Sequence, residues 1–400
     1  MSRLQRLALA AALSFAPLPA LAQVSGDAVR IGVLNDQSGT YADFGGKWSI
    51  EAARIAVEEF GGKVLGKPVE IVAADHQNKA DIASNIARAW YDNDGVDVIV
   101  ELTTSSVALA VQQLSLEKKK ITMASGAATS DLSGKACTPF GFHWAYDTRA
   151  LAVGTGGSLV ETGADSWYFI TADYAFGHAL EADTSKYVRE KGGKVLGAVR
   201  HPLGTPDFSS FLLQAQGSKA KIIGMANGGT DVTNLIKQAS EFGIVQGGQR
   251  LAALLVTIAE VHGLGLQAAQ GLVLTEAFYW DNDEASRAFS KTFMERTGRM
   301  PNMVQAGTYS SVLQYLKAVQ AAGTDATEPV ARKLHEMPVD DAFAKGGKVL
   351  ANGRMVHDLK LFEVKKPSES KAPWDYYKPL ASIRGDTAFA TLAESGCPMK

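Results

Sequence analysis

The most restrictive feature of this 400-residue chain is a repeated alternation between short apolar strands and helices that carry an apolar face. The strands of the first run are predicted at residues 29–34, 69–73, 96–102 and 121–124. The alternation restarts near residue 151 and continues to residue 275. Such alternation produces a parallel sheet with helices on both faces, so we predict an α/β fold with two doubly wound parallel-sheet lobes.

Two of these strands run directly into clusters of small, hydroxyl-bearing residues. Residues 103–106 read Thr-Thr-Ser-Ser, and residues 125–130 read Ser-Gly-Ala-Ala-Thr-Ser. Small side chains let a ligand approach the backbone, and unpaired N–H groups at the start of a helix favour an anion. The hydroxyls could instead serve only as helix N-caps. Two such clusters on consecutive strands favour an anion-binding site.

The first 22 residues have the pattern of a secretory signal. Arg3 and Arg6 precede an apolar run over residues 7–18, and an Ala-Leu-Ala sequence at 20–22 marks the predicted cleavage site. No later stretch approaches 18 uninterrupted apolar residues, so we expect a soluble protein exported to the periplasm. The formal charge of −2 offers no basic surface for nucleic acid.

The chain contains two cysteines, Cys137 and Cys397. An oxidising compartment favours a long-range disulfide between them, although two buried thiols remain an alternative. The seven histidines are scattered without the spacing of a zinc site, so no metal is predicted.

Known catalytic motifs are missing from the sequence. It has no G-x-S-x-G elbow, no Walker A loop and no H-E-x-x-H motif. The glycine-rich stretches at 154–157 and 263–265 lack the strand, helix and third glycine of a dinucleotide loop. We therefore expect a protein that is not an enzyme and carries no cofactor.

Segments at the carboxyl ends of the predicted strands hold many aromatic residues. Ligands of open α/β sheets bind outside these ends. The residues singled out there are Tyr41, Phe44, Tyr174, Phe176 and Phe278, together with Asn227. Each ring could instead pack within its own lobe, and Asn227 could cap a loop. Together they predict a ligand cleft with flat apolar walls and a polar, anion-binding end.

In order and spacing, several short motifs resemble those of the periplasmic solute-binding proteins of ABC importers, specifically the leucine/isoleucine/valine-binding type with the type I periplasmic-binding-protein fold. The matching stretches are Ile31-Gly-Val-Leu, Ser38-Gly39, Asp75, residues 103–106, Gly126-Ala-Ala-Thr-Ser-Asp-Leu132, Tyr174-Ala-Phe-Gly177, Asp207-Phe-Ser-Ser210 and Ala269-Gln-Gly-Leu272. The similarity extends over residues 29–364, nearly all of the chain that follows the predicted signal.

The resemblance implies two discontinuous lobes joined by three crossing segments near residues 143–147, 275–278 and 338–343. Lobe one would hold residues 24–145 and 277–337, and lobe two residues 146–276 and 338–364. Residues 365–400 are expected to form a C-terminal extension across the surface, with irregular chain over the polar stretch 365–377. The implied function is capture of a small molecule between closing lobes by a monomer, and its delivery to a membrane permease with its ATPase.

The resemblance also implies a set of ligand contacts. A ligand carboxylate would be held by Thr104, Ser105 and the backbone of Gly126, Ala127 and Ala128. In amino-acid binders a threonine and an acidic residue hold the ammonium, but their positions fall here on Ala128 and near Leu254. An ammonium without an acceptor is costly to bury, so an amino acid is disfavoured unless a gap brings Glu260 or Glu276 into the site.

These implied contacts predict an aromatic carboxylic acid, such as a benzoate or hydroxycinnamate derivative, and resemble the subgroup of the family that imports aromatic acids. The alternatives are a branched-chain or other amino-acid binder and a ligand-sensing receptor domain of the same fold.

Overall fold

The computed structural model describes residues 24–163 and 165–399. The predicted signal segment, residues 1–22, lies outside these residues. Among the described helices, none is both long and apolar enough to cross a membrane.

The first part of the chain forms a six-stranded sheet. Its elements are β1 (Val29–Asn35), α1 (Gly46–Phe60), β2 (Lys63–Val64), β3 (Lys67–Asp75), α2 (Ala80–Asp92), β4 (Val96–Glu101), α3 (Ser105–Lys118), β5 (Ile121–Ala124) and β6 (Gly141–His143). The strand order is β2-β3-β1-β4-β5-β6, and neighbouring strands are parallel except in the β2–β3 hairpin.

The second part forms a four-stranded parallel sheet in the order β10-β9-β7-β8. Its elements are α4 (Thr148–Leu151), α5 (Gly157–Glu161), β7 (Ser166–Ala172), α6 (Ala175–Glu190), β8 (Lys194–His201), α7 (Ser209–Gly217), β9 (Ile222–Ala226), α8 (Gly229–Glu241), β10 (Arg250–Ala253), α9 (Ile258–Leu264) and α10 (Leu266–Ala269). The predicted fold class, with two parallel sheets flanked by helices, is confirmed.

The last part of the chain returns to the first sheet and then crosses again. Its elements are β11 (Val273–Glu276), α11 (Glu284–Thr297), α12 (Met303–Ala322), α13 (Thr327–Glu336), β12 (Lys348–Val349), β13 (Met355–Val356), β14 (Leu359–Val364), β15 (Tyr377–Ile383), α14 (Gly385–Ala388) and α15 (Leu392–Ser395). Helix α12 packs against α1 and β4, whereas β11, β14 and β15 form a separate antiparallel sheet.

Central strands of the two parallel sheets, such as β4 and β9, are buried on both faces. In β4 every residue is buried, and neighbouring side chains enter different cores. Val98 and Val100 pack towards α1 and α12, whereas Val96 and Ile99 pack towards α2 and α3. Burial on both faces explains why these strands appear in the sequence as continuous apolar runs.

Arg354 ties together the segments that connect the lobes. This buried residue pairs with His143 in a parallel β-bridge, and its guanidinium donates to the carbonyl oxygens of Trp144 at 2.5 Å and Tyr146 at 3.0 Å. The chain therefore still lies against the first sheet at residue 354. These contacts join residue 354 to the first predicted crossing segment, residues 143–147.

Within the C-terminal extension, residues 365–376 contain only a short 3₁₀ turn at Pro367–Glu369, whereas the chain after them is regular and anchored. Strand β15 extends the antiparallel sheet by pairing with β14, and Trp374 and Phe389 are buried. A disulfide joins Cys137 to Cys397, with a Cα–Cα distance of 5.7 Å. Because β15 is an edge strand with mostly exposed side chains, its sequence lacks the apolar alternation that would have revealed it.

Candidate functional site

The strand orders of the two parallel sheets determine where a ligand can bind. In the first sheet β1 lies between β3 and β4, and in the second sheet β7 lies between β8 and β9. In each sheet the chain therefore adds strands first on one side of this strand and then on the other, which makes β1 and β7 the switch points. Ligands of open α/β sheets bind outside the carboxyl ends of the strands at such switch points. The segments that follow β1, β4 and β7 are therefore the candidate ligand contacts.

A small cavity lies between the lobes at these strand ends. Its volume is about 10 Å³, close to the space that one water molecule needs. The lining residues are Tyr41, Phe44, Thr103, Ser105, Gly126, Ala128, Tyr146, Tyr174, Phe176 and Leu255. Of the residues predicted from the sequence, the structure brings together here Tyr41, Phe44, Ser105, Gly126, Ala128, Tyr174 and Phe176.

Thr104 and Ala127, which were also predicted for the site, lie outside this lining. The Thr104 hydroxyl donates to the Asn78 side-chain oxygen rather than capping α3. The Ala127 carbonyl oxygen lies 2.9 Å from Nε2 of His143.

Asn227 and Phe278 also lie outside the lining. The buried Asn227 places its amide nitrogen 3.1 Å from Nε2 of His201. Phe278 belongs to a cluster of rings, with centroid distances of 5.9 Å to Phe289 and 6.4 Å to Phe343. In this structure the Phe278 ring thus serves packing.

The polar end of the cavity is the N-terminus of α3. Ser105 is the first residue of this 14-residue helix, it is buried, and its hydroxyl oxygen accepts a bond from the Thr129 amide at 3.2 Å. The amides of the first helical turn have no carbonyl partner within the helix, and the helix dipole adds partial positive charge there. Ser105 and these amides can therefore hold an anion.

The Gly126 backbone, which was predicted to hold the ligand carboxylate, is hydrogen-bonded within the first lobe. Its amide donates to the backbone carbonyl of Glu101 at 2.9 Å, and the Gly126 carbonyl accepts a bond from the Tyr146 hydroxyl at 2.7 Å. The contribution of Gly126 to the cavity is its missing side chain, since a Cβ there would lie 2.8 Å from Cα of Thr103.

Aromatic rings from both lobes form the other walls. Phe44 lies 6.0 Å from Tyr41 and 6.5 Å from Tyr146, measured between ring centroids, and all three follow strands of the first sheet. The second lobe contributes Tyr174 and Phe176 to the cavity walls, and the centroids of these two rings lie 6.0 Å apart. Tilted and edge-on rings at these distances attract one another and present flat apolar surfaces.

The two lobes contact each other directly beside the cavity. The hydroxyl oxygens of Tyr41 and Tyr174 lie 2.5 Å apart. Farther along the cleft, the Ser130 hydroxyl of the first lobe donates to the Asp183 carboxylate on α6 at 2.9 Å. The structure is thus that of a closed cleft.

No acidic residue is found among the described residues that line the cavity. Ala128 and Leu255 line it at or next to the positions where amino-acid binders would place a threonine and an acid, and the neighbouring Leu254 is buried. The Glu260 carboxylate closes the N-cap of its own helix, α9. The Glu276 carboxylate accepts a bond from the first amide of α9, and neither acid is among the described residues that line the cavity.

Sequence reasoning missed Tyr146 and Leu255, and it singled out Thr104 where Thr103 lines the cavity. Thr103 could have been predicted, because it belongs to the hydroxyl cluster at residues 103–106. Tyr146 and Leu255 lie in segments beyond strand ends, where no local pattern indicates which way a side chain points.

A larger cavity of about 470 Å³ lies on the second lobe, but its position speaks against a ligand site. It is lined by Arg250 and Leu251 at the start of β10 and by Val273 at the start of β11. These are the amino ends of the strands, opposite to the ends where α/β sheets bind ligands. In the part of the chain that the structure describes, no group of acidic, histidine and cysteine side chains could hold a metal ion.

Comparisons with known proteins agree with this architecture. Residues 28–371 match the family described as periplasmic binding protein. A periplasmic binding protein from Burkholderia mallei is 53% identical, with a TM-score of 0.91, and the alignment covers 93% of this chain and 99% of that one. A branched chain amino acid ABC transporter periplasmic ligand-binding protein from Burkholderia xenovorans LB400 is 39% identical, with a TM-score of 0.83 and coverage of 93% and 99%.

A more distant likeness concerns the fold alone. An ABC transporter solute-binding protein from R. palustris, solved in complex with benzoate, is 19% identical, with a TM-score of 0.82 and coverage of 93% and 100%. The resemblance that the sequence motifs indicated is confirmed by these comparisons.

Proposed function

Because the chain belongs to the periplasmic binding protein family and is a solute-binding protein of the ABC-transporter type, we propose that the solute it captures is a small aromatic carboxylate. The observation that carries this proposal is the composition of the cavity. Aromatic rings from both lobes surround the N-terminus of α3, and the described lining includes no acid that could accept an ammonium group.

In this proposal the carboxylate of the ligand binds to Ser105 and the first-turn amides of α3. Hydrogen bonds to a charged group contribute about 1.5 to 3 kcal/mol each. The helix dipole favours the same orientation, with the negative end of the ligand towards the helix.

We expect the ring of the ligand to lie between two pairs of aromatic residues, Phe44 and Tyr146 of the first lobe and Tyr174 and Phe176 of the second. Apolar burial contributes about 25 cal/mol per Å², which is a few kcal/mol for a benzene ring. Together with the carboxylate bonds, this makes micromolar affinity, about −8 kcal/mol, attainable.

Entry of such a ligand requires the lobes to separate. The cavity of about 10 Å³ in this structure has no room for a ring, and contacts such as Tyr41–Tyr174 close the cleft. The walls must therefore lie farther apart when a ligand is bound than they do here. We propose that the connections near Arg354 act as the hinge and that the closed protein delivers its ligand to a membrane permease. The family implies a periplasmic location, and the role of residues 1–22 as the signal that directs the chain there remains a prediction.

A branched-chain amino acid is the second candidate, favoured by the description of the Burkholderia xenovorans relative at 39% identity. Its ammonium group would need an acceptor in the cavity. The benzoate complex of the R. palustris protein shows only that this fold can hold an aromatic acid. The composition of the cavity makes us prefer the aromatic acid.

The experiment that decides between them is a thermal-shift and calorimetry screen of the purified protein. The panel contains benzoate, 4-hydroxybenzoate, coumarate, leucine and valine. A ligand that binds only the folded state raises Tm in proportion to its saturation. We expect the aromatic acids to raise Tm and the amino acids to leave it unchanged. A shift with leucine and none with any aromatic acid would refute the proposal.

A matched pair of variants tests the placement of the carboxylate. Ser105→Ala should weaken benzoate binding about 10- to 150-fold, since it removes one charge-assisted hydrogen bond. Ser106→Ala changes the same residue type one position along the same helix, outside the cavity lining, and should bind like the wild type. Equal affinities of the two variants would exclude the Ser105 contact.

A further inference from the structure

A buried carboxylic acid lies directly behind the wall of the cavity. Glu101 is the last residue of β4, at the switch point of the first sheet, and it is fully buried. The Thr103 hydroxyl lies 2.8 and 2.7 Å from its two carboxyl oxygens. Thr103 itself lines the cavity, so one residue separates this acid from it. The Thr103 hydroxyl oxygen also accepts a bond from the Asp36 amide at 3.4 Å, which leaves it one further lone pair.

The backbone around Glu101 is held in a conformation that side-chain-bearing residues rarely adopt. Glu101 has a φ of 76° and Leu102 a φ of 55°. The Glu101 carbonyl accepts bonds from the amides of Ser125 and Gly126 at 3.1 and 2.9 Å, which fixes this turn against β5. Consecutive left-handed residues store strain, and such strain concentrates at functional sites.

Two glycines make the space in which the carboxyl group lies. A Cβ at Gly45 would lie 2.1 Å from a carboxyl oxygen of Glu101, and a Cβ at Gly126 would lie 2.9 Å from it. The acid is therefore enclosed between the start of α1 and the strand end of β5. Any larger residue at either glycine would displace it.

The surroundings of this acid disfavour its ionised form. The titratable groups that face it are Asp36 at the end of β1 and Tyr146 from the connection after β6. None of the ion pairs in the described ranges includes Glu101. Burial is the main cause that raises the pKa of the Glu101 carboxyl to about 8; the Thr103 hydrogen bonds oppose this shift and the nearby Asp36 adds to it.

We propose that Glu101 is a positioning residue that selects the charge of the ligand by setting the direction of the Thr103 hydroxyl hydrogen. When the carboxyl is protonated, its O–H donates to Thr103 Oγ1, and the Thr103 hydroxyl donates into the cavity to an anion. When the carboxyl is ionised, the Thr103 hydroxyl donates to it and offers the cavity only an acceptor. The proton comes from solvent and returns to it, so no other reactant is needed.

This inference rests on the proposed function, because its probe is an aromatic anion. Benzoate affinity should be constant between pH 6 and 7.5 and should fall about tenfold per pH unit above pH 8. At pH 8.5, calorimetry in buffers with different ionisation enthalpies should detect the uptake of about 0.8 proton on binding. A purely structural Glu101 would produce neither effect.

Variants separate this role from a general effect on folding. Glu101→Gln keeps a side-chain donor to Thr103, so its benzoate affinity should be independent of pH up to 9.5, with no proton uptake. Glu260→Gln alters another buried acid, outside the cavity lining, and should keep the wild-type profile. If Glu101→Gln fails to fold, Thr103→Val serves instead, since loss of the relay should also remove the pH dependence.

The outcomes are distinguishable. Benzoate binding with a flat wild-type profile, or with the same slope in Glu101→Gln, overturns the inference and leaves the proposed function standing. Absence of binding by any aromatic acid at every pH overturns the proposed function and the inference with it.

Discussion

The hydrogen bond between the hydroxyls of Tyr41 and Tyr174 joins the two lobes across the cavity, and removing it should weaken ligand binding. The change is Tyr41→Phe, which keeps the ring and deletes one oxygen. Its partner hydroxyl then loses a bond that exists only when the lobes are closed. We expect the lobes to close on a ligand with the rings farther apart than in this structure but with this hydroxyl contact kept, so a less stable closed form lowers the apparent affinity.

The size of this effect follows from the burial of the pair. Tyr41 is 3% exposed, so the bond lies in a site that water reaches poorly. Loss of one neutral hydrogen bond costs about 0.5 to 1.5 kcal/mol, which corresponds to an affinity about 2- to 13-fold weaker. If the bond between the lobes is the cause, Tyr174→Phe should give the same loss, and the double variant should be no weaker than either single variant.

Calorimetric titration with benzoate is the assay, and Tyr91→Phe is the matched control. Tyr91 is another buried tyrosine, and its hydroxyl lies 2.7 Å from the Ser115 hydroxyl within the first lobe. Its loss should lower the free energy of unfolding without changing benzoate affinity. The reasoning is refuted if Tyr41→Phe binds like Tyr91→Phe, or if the effects of Tyr41→Phe and Tyr174→Phe add in the double variant.

Other predictions concern stability and can be measured by urea denaturation. Replacing Cys137 and Cys397 by serine should lower the free energy of unfolding by about 2 to 5 kcal/mol, and a reducing agent should affect the wild type but not this variant. Arg354→Met should cost about 3 kcal/mol or more, since it leaves the carbonyls of the hinge segments without their buried donor; an unchanged urea midpoint would contradict this. Burial lowers the pKa of His357 to about 4, so its contribution is present above pH 6.5 and lost as the pH falls towards 4. Between pH 7.5 and pH 5 the wild type should therefore lose about 2 kcal/mol more than His357→Gln does, and parallel pH profiles would contradict this.

The alternation of strands and helices could be predicted because it is dictated by local chemistry. Strands such as β4 and β9 are buried along their whole length and appear as apolar runs between turn residues. Edge elements are different. Strand β15 exposes most of its side chains, so its place depends on pairing with β14 rather than on its own pattern.

The candidate site was predictable in its location but less so in its contacts. Strand ends are visible in the sequence, and Tyr41, Ser105 and Tyr174 lie in the segments that follow them. The prediction named Thr104, whereas the neighbouring Thr103 lines the cavity. The difference of one residue arises because the left-handed backbone of Leu102 turns the chain after β4. Such a turn is favoured by no residue type found there, so propensity could not reveal it.

Glu101 shows a second limit of sequence reasoning. A glutamate at the end of an apolar strand looks like the first polar residue of a loop. Its burial depends on glycines 45 and 126, which lie 56 and 25 residues away along the chain and meet only in the folded sheet. Because this space is formed by residues far apart along the chain, no local sequence pattern reveals it.

The disulfide between Cys137 and Cys397 closes a covalent ring that contains the entire second lobe and every connection between the lobes. A protease that cuts an exposed loop inside this ring, such as the glycines at 247 and 248, opens the ring without releasing a fragment. The nicked protein would keep both halves of the cleft on one molecule. A cut in an outer loop would therefore not detach a lobe from the protein. This property suits a protein that works where the cytoplasmic repair machinery does not reach.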